Sequence, residues 1–429
     1  MKCINCGTDN NLRDRTANSG HCTRCNHQFA FEPTAMTQGI KFTDPFFAKL
    51  LNDISVNKTL YFTPKQLLYF LDKRLKYKKI SVAGIGCILL LLFFNVWTTL
   101  FFGGFLYVLL GGGSIIIVPI VLNLGVLIWL FNQSRSKKLT YQDRQNTAKS
   151  LLILTGFLLV VGLSISLSLN LFPLLVASTI IGMLFIYLAI RQLRNKKSIA
   201  QEFLISLSQV QDWLRKWQTI NGSFEKILSP SFAATQPVQI NPEILNYSFD
   251  RVIVCQSTEI ARFLIANNFH FENNCAVLSV TRYPENIFDV VLEMLRRNRD
   301  LKVYALHNAN SRGVTLVNHL RTQDNWFADS SATIYDIGLS PRQVLDNPKL
   351  FVQQSDTMAR EAKELPQEIR QTLLPEEINW LEAGYFVELE SFSPQHLLRI
   401  VTQGIILSRQ ENDLIFVEDN SLYMVQSFG

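Results

Sequence analysis

The chain has 429 residues, 48% of them hydrophobic, and a formal net charge of +6 that is unevenly spread. Residues 1–79 carry a net +7, segments 132–149 and 191–197 a net +4 each, and 198–429 a net −9. The acidic C-terminal half argues against a broad electrostatic grip on nucleic acid there, and two long uncharged apolar blocks, 80–131 and 150–190, exclude a purely water-soluble chain.

At the N-terminus, Cys3-x-x-Cys6 and Cys22-x-x-Cys25 are two paired-thiol turns separated by 15 residues. Four thiolates on two tight turns complete a tetrahedral zinc site, and this spacing is that of a zinc ribbon over residues 1–32. Gly7 follows the first pair and Gly20 precedes the second. With four sulfur ligands no coordination position stays open, so the expected Zn2+ is structural. His21 and His27 flank the turns, either as replacement ligands or as polar surface. Cys87, Cys255 and Cys275 fall in apolar runs and read as buried small residues.

Residues 33–79 read as amphipathic juxtamembrane helices. Asp44-Pro45 opens one with Phe46, Phe47, Leu50, Leu51 and Ile54 on a single face. Thr63-Pro64 serves as N-cap and first residue of the next, Lys65–Lys79. Its stripe of Leu67, Leu68, Leu71 and Leu75, with a basic end, suits the membrane surface or a packed domain equally.

Neither apolar block holds an Asp, Glu, Lys, Arg or His. Each is too long for one crossing of about 20 residues and right for two. Breaks at Gly103-Gly104, Asn170 and Pro173 give four spans within 80–191, at about 80–102, 105–131, 150–169 and 172–190. Gly111-Gly112-Gly113 marks a kink, a close helix contact or a later start near Ser114. Basic residues crowd before the first span (Lys73, Arg74, Lys76, Lys78, Lys79), between the pairs (Arg135, Lys137, Lys138, Arg144, Lys149) and after the last (Arg191, Arg194, Lys196, Lys197). The positive-inside rule then makes this an integral, multi-pass membrane protein with both termini cytoplasmic. The N-terminus lacks the basic-then-apolar pattern of a signal peptide. Without ionisable residues the spans read as an anchor in the lipid bilayer, not an ion pathway.

Beyond the membrane, 192–228 is a juxtamembrane helix, its stripe of Phe203, Leu207, Val210, Leu214 and Trp217 lying within Ser198–Leu228, and Pro-containing 229–245 is a linker. Residues 246–429 alternate strand and helix: Val252–Cys255, Glu259–Asn267, Ala276–Val280, Glu285–Arg297, Leu301–Leu306, Gly313–Arg321, and a fourth strand from Ile334-Tyr335. That order implies an α/β fold with a Rossmann-like parallel sheet, whose chemistry gathers at the carboxyl ends of the strands. The tail Gly404–Phe428, with turn residues at Glu411-Asn412-Asp413 and Glu418-Asp419-Asn420, reads as a β-meander.

Several short segments occur in the order of a known family: Asn268-Phe269, Arg282-Tyr283-Pro284-Glu285, Val303–Gly313, Tyr335-Asp336-Ile337-Gly338-Leu339 and Ala383–Glu390. Residues 251–398 thereby resemble the TOPRIM domain of the topoisomerase VI A subunit family. The resemblance implies a Glu after the first strand and an Asp-x-Asp after the third, holding magnesium. Here Gln256, Asn308 and Asn310 occupy those positions, and Glu259 is the nearest substitute for the missing Glu. Amides supply no charge to balance a divalent cation, so Mg2+ is not expected to bind. The family's domain carrying the DNA-cleaving tyrosine has no counterpart in this sequence. His270, His307, His319 and His396 are scattered, and no phosphate-binding glycine motif is present. The chain therefore reads as a non-catalytic, membrane-anchored scaffold with a protein partner. The alternatives are a metal-dependent enzyme acting on nucleotides or phosphate esters with a rearranged site, and a membrane tether for nucleic acid.

Overall fold

The computed structural model describes residues 1–37, 40–80, 114–136, 141–168, 172–194, 200–228, 250–285, 288–298, 300–328 and 330–410, with a few single positions besides. The chain divides into two units, Met1–Asp72 with Phe203–Gly429, and Lys73–Glu202.

The first unit begins with the cysteine turns and a short helix between them, α1 (Leu12–Ala17), started by a reciprocal capping box of Asn11 and Asp14. Helix α2 (Asp44–Ile54) starts where the Asp44-Pro45 pair predicts, and buries Phe47, Leu50, Leu51 and Ile54, with Phe46 only half-buried. Its first residue joins it to the ribbon. The buried Asp44 carboxylate accepts from the backbone N–H groups of Ala30 and Phe31, at 2.8 Å each. Helix α3 (Pro64–Ile80) is capped by Thr63, whose hydroxyl accepts from Gln66 N at 3.1 Å while the Gln66 side chain accepts from Thr63 N at 2.9 Å. Leu67, Leu68 and Leu71 are buried, so protein, not lipid, covers that stripe.

The second unit contains α4 (Ser114–Ser134), α5 (Tyr141–Ser168) and α6 (Phe172–Arg194). Among the described residues two segments, Asp143–Ser168 and Phe172–Arg194, are long and apolar enough to cross a membrane. They join through Asn170, whose φ of 53° turns the chain at the predicted break. Leu127, Leu130, Leu151, Leu154, Phe185 and Ala189 form the contact between the three helices. By contrast Ile153, Val160, Leu167, Ile180 and Met183 are 62–66% exposed, an outward-facing apolar surface. One boundary differs from the sequence expectation: residues 141–149, expected in the central loop, are the first turns of α5. The expected span 80–102 lies, but for Ile80 and Phe93, outside the described residues, as does the start of 105–131.

The chain re-enters the first unit through α7 (Leu207–Asn221), shorter than the expected Ser198–Leu228. Ser206 and Gln209 form a capping box that fixes its start, so Phe203 lies outside the helix and Val210, Leu214 and Trp217 make the buried face. Phe31 and Phe42 from the ribbon side meet Phe47 of α2 and Trp213 and Trp217 of α7. Their centroids lie 4.8 Å (Phe31–Phe42), 5.0 Å (Phe42–Trp213) and 5.2 Å (Phe47–Trp217) apart. Such contacts add about 0.5–1.5 kcal/mol each beyond area burial. The expected linker 229–245 lies outside the described residues.

Four parallel strands follow among the described residues: β1 (Arg251–Cys255), β2 (Ala276–Ser279), β3 (Lys302–Leu306) and β4 (Thr333–Asp336), in the order β2-β1-β3-β4. Helices α8 (Thr258–Ala266) and α9 (Phe269–Glu272) join β1 to β2, α10 (Phe288–Arg296) joins β2 to β3, and α11 (Leu316–Thr322) joins β3 to β4. Alternate strand residues point to opposite faces. Ile253, Cys255, Tyr304 and Leu306 enter one core and Val252, Val254, Val303 and Ala305 the other. Because β2 and β3 flank β1, the topology switches direction between β1 and β3, where open α/β sheets bind ligands.

The remaining helices were not assigned from sequence: α12 (Pro341–Asp346), α13 (Asp356–Lys363), α14 (Gln367–Thr372) and α15 (Pro375–Glu382). A two-residue antiparallel pair, β5 (Gln353–Gln354) with β6 (Tyr385–Phe386), accompanies them. The expected β-meander is overturned over Gly404–Gln410, which belongs to α16 (Pro394–Gln410). Leu397, Ile400, Val401 and Ile405 are fully buried at spacings of three, one and four, and that helical stripe outweighs the later turn residues. Residues 411–429 lie outside the described ones.

Asp44 carries the join between ribbon and α2, so Asp44→Ala is expected to lower stability by about 2–4 kcal/mol, the loss of two charge-assisted bonds. Unfolding followed by Trp213 and Trp217 fluorescence checks it, and an unchanged midpoint contradicts the assignment.

Candidate functional site

Two constellations emerge from this frame, the cysteine cluster and the strand ends at the topological switch.

In the first, Cys3 and Cys22 each open a matched turn. Cys3 N donates to Thr8 O and Gly7 N to Cys3 O, while Cys22 N donates to His27 O and Asn26 N to Cys22 O, all at 2.9–3.0 Å. Both turns need a left-handed residue after the second cysteine. Gly7 supplies it at φ 73° and Asn26 at φ 55°, the two residue types that tolerate it best. The four sulfurs lie within 4.8 Å of one another, with Cys3–Cys25 and Cys6–Cys22 at 3.6 Å. All four are free thiols, and 3.6 Å is far beyond a disulfide of about 2.05 Å. Four sulfurs about 2.3 Å from one metal ion stand near this separation, so the set can hold a metal ion. Backbone N–H groups of Cys25 and Arg24 help pull the Cys22 thiol down to about 6, whereas burial pushes Cys3 up to about 11. His21 and His27 are engaged elsewhere. His21 Nδ1 lies 3.0 Å from Ser19 O, and His27 Nε2 lies 3.0 Å from Asn221 Oδ1.

At the switch, the three amides singled out by the sequence come together. Gln256 follows β1 and Asn308 and Asn310 follow β3. Gln256 Oε1 accepts from Asn308 N at 2.8 Å, and Gln256 Nε2 donates to Asn310 Oδ1 at 3.1 Å. The same Asn310 oxygen accepts from Gly313 N at 2.7 Å, and Asn308 Oδ1 accepts from Leu389 N at 2.8 Å. Gly313 must be glycine, since a Cβ there would strike the Asn308 carbonyl oxygen. Ala309 and Val387 exchange backbone hydrogen bonds at 3.0 Å each, which stitches segment 387–390 onto the end of β3. All three amide oxygens are thus taken up inside the protein.

Neighbouring polar groups are similarly committed. His307 is buried, with Nδ1 2.9 Å from Asn308 O and Nε2 3.0 Å from Asp336 Oδ1. Burial pulls the ring's pKa down, but the Asp336 charge and hydrogen bond outweigh it and leave it above the ordinary value. Arg312 holds Glu361 through both carboxylate oxygens. The other histidines are dispersed: His270 packs on Phe271, His319 on Trp326 and His396 on Phe392.

Glu259 lies in the first turn of α8, outside the amide network, and its charge acts on Lys65 and Glu390 instead. This second, acidic cluster was missed in sequence. Lys65 Nζ pairs with Glu388 Oε1 at 2.5 Å, Tyr69 Oη donates to Glu388 Oε2 at 2.7 Å, and Gln353 donates to Tyr69 Oη at 2.5 Å. Glu390 is 4% exposed, and its Oε2 has no hydrogen-bond partner. Burial raises this carboxyl to about 7. The available signal was Val387-Glu388-Leu389-Glu390, two acids alternating with two apolar residues after a strand.

Compared with protein-family models and with curated proteins, the sequence matches none.

Because the folded Glu390 carboxyl lies above its unfolded value, its stabilising protonation is complete at acidic pH and is lost as pH rises through about 7. Glu390→Gln is therefore expected to gain stability relative to the parent chain between pH 5 and pH 8, by about 3 kcal/mol. Thermal unfolding at the two pH values measures this, and an equal effect at both contradicts it.

Proposed function

We propose that this protein is a non-catalytic, membrane-anchored scaffold that displays a zinc ribbon and a metal-free TOPRIM-like domain to the cytoplasm, where it binds another protein. The observation that carries the reading is the amide network. Gln256, Asn308 and Asn310 stand at neighbouring strand ends, bonded to one another and to backbone N–H groups. A hard divalent cation needs anionic oxygen ligands. These oxygens are neutral and already accept hydrogen bonds, so a metal there would have to break the network without charge to offset the loss.

Zinc is the metal we assign to the four thiols, because four free sulfurs near tetrahedral spacing suit it best. Its role is to hold the ribbon against α2 and α7. For the membrane part we propose four spans with both termini on the basic, cytoplasmic side. The apolar surfaces of α5 and α6 and the basic clusters around the spans support this arrangement.

The deciding experiment is calorimetric titration of Mg2+ into the detergent-solubilised chain, with a Mg2+-dependent DNA-cleavage assay beside it. No specific uptake and no cleavage are expected; either one overturns the scaffold reading. Metal analysis should give one zinc per chain, lost in Cys22→Ser/Cys25→Ser. Crosslinking in the native membrane should recover a protein partner in stoichiometric amount, whereas recovery of nucleic acid with a steep salt dependence would favour a nucleic-acid tether.

A further inference from the structure

His307, the residue after β3, is 1% exposed and has no part in the scaffold reading. Glycines make room for its ring. A Cβ at Gly338 would strike Cδ2, Cγ and Nε2, and one at Gly313 would press on Nδ1. Each ring nitrogen faces an acceptor: Nδ1 lies 2.9 Å from the Asn308 carbonyl oxygen, and Nε2 lies 3.0 Å from Asp336 Oδ1 at the end of β4. A carbonyl oxygen cannot donate, so Nδ1 carries a proton. The Asp336 side chain is 47% exposed, and its Oδ1 also accepts from Gly338 N at 2.9 Å. Both features keep that carboxylate ionised, so Nε2 carries a proton as well. Two N–H donors on one ring make an imidazolium. Burial opposes the charge, but Asp336 outweighs burial, and among the described residues no other charged group acts on the ring. Charged groups on the neighbouring elements have partners elsewhere: Arg312 with Glu361 of α13, Arg342 of α12 with Glu377, and Glu388 with Lys65.

The Asn308 carbonyl shares one rigid peptide plane with Ala309 N–H, which donates to Val387 O at 3.0 Å. The same carbonyl accepts from Asn310 N, also at 3.0 Å. The ring thus holds one edge of a plane whose other edge pins segment 387–390. When the ring loses a proton, the one it keeps stays on Nε2 beside the anion, where the bond is stronger. The bare Nδ1 lone pair then faces the carbonyl oxygen, two acceptors repel, and the plane has to turn.

We propose that His307 is a charged clamp and a pH switch: its imidazolium fixes the Asn308–Ala309 peptide, and loss of one ring proton turns that peptide and loosens segment 387–390. Because the folded ring titrates above its unfolded value, the clamp is complete at acidic pH and is lost as pH rises through the folded value. The inference stands apart from the scaffold reading, since it concerns a different group and leaves that reading intact if it fails.

The test is nitrogen-15 resonance of the histidine-labelled full chain in detergent, with amide hydrogen exchange beside it. At pH 7 the His307 ring is expected to be predominantly doubly protonated and to titrate above the ordinary value of about 6.5. Across that titration, exchange at Ala309 and Asn310 N–H, corrected for base catalysis, should speed up at least tenfold. Asp336→Asn removes the counter-charge and should carry the ring's titration and the exchange step together to lower pH. His307→Gln should lose both the resonance and the step; should it fold poorly, the joint shift in Asp336→Asn decides. A ring with one bare nitrogen at pH 7, or a titration at or below the ordinary value, overturns the proposal. So does an exchange step that is absent, or one that Asp336→Asn leaves in place.

Discussion

The hydrogen bond from Leu389 N to the Asn308 side chain joins the amide network at the strand ends to the acidic segment that crosses them. It fixes segment 387–390 across the end of β3, next to the topological switch between β1 and β3. The fixed segment presents Glu388 to Lys65 of α3, while the other amides fasten the turn that follows β3. A neutral side chain suits this task. An amide oxygen accepts from a backbone N–H without carrying a charge that burial would penalise. An aspartate at the same point would accept more strongly but would add an anion close to the acidic segment 388–390.

The exchange of charge for hydrogen bonds gives the domain a polar centre that holds itself together. The amide oxygens at the switch are occupied from within, and Glu388 beside them pairs with a lysine from the same chain. The N-terminal region follows the same logic with different chemistry. Matched left-handed residues Gly7 and Asn26 bring four thiols together, and Asp44 fastens the resulting ribbon to α2 through two backbone N–H groups.

Much of this was legible in the sequence where a local rule decides the structure. The CxxC turns, the start of α2 at Asp44-Pro45 and the Thr63 cap need only short-range chemistry, and the structure has each of them. The strand–helix alternation from Arg251 to Asp336 was readable because buried parallel strands are short unbroken apolar runs. Tail residues Gly404–Gln410 misled, because polar turn residues beyond them drew attention away from the stripe of Leu397, Ile400, Val401 and Ile405. Helices α12 to α15 escaped notice since each is at most eight residues long, too short for a periodic signal. The pairing of Lys65 with Glu388 was out of reach for another reason. It joins residues 323 positions apart, and nothing local in either segment names its partner.

Backbone hydrogen exchange at Asn308, Gly313 and Leu389 tests the central claim most directly, because those three N–H groups donate to the amide oxygens of the network. The account predicts that all three are strongly protected and that millimolar Mg2+ leaves their rates unchanged. Fast exchange at these positions, or protection that shifts when Mg2+ is added, would contradict it.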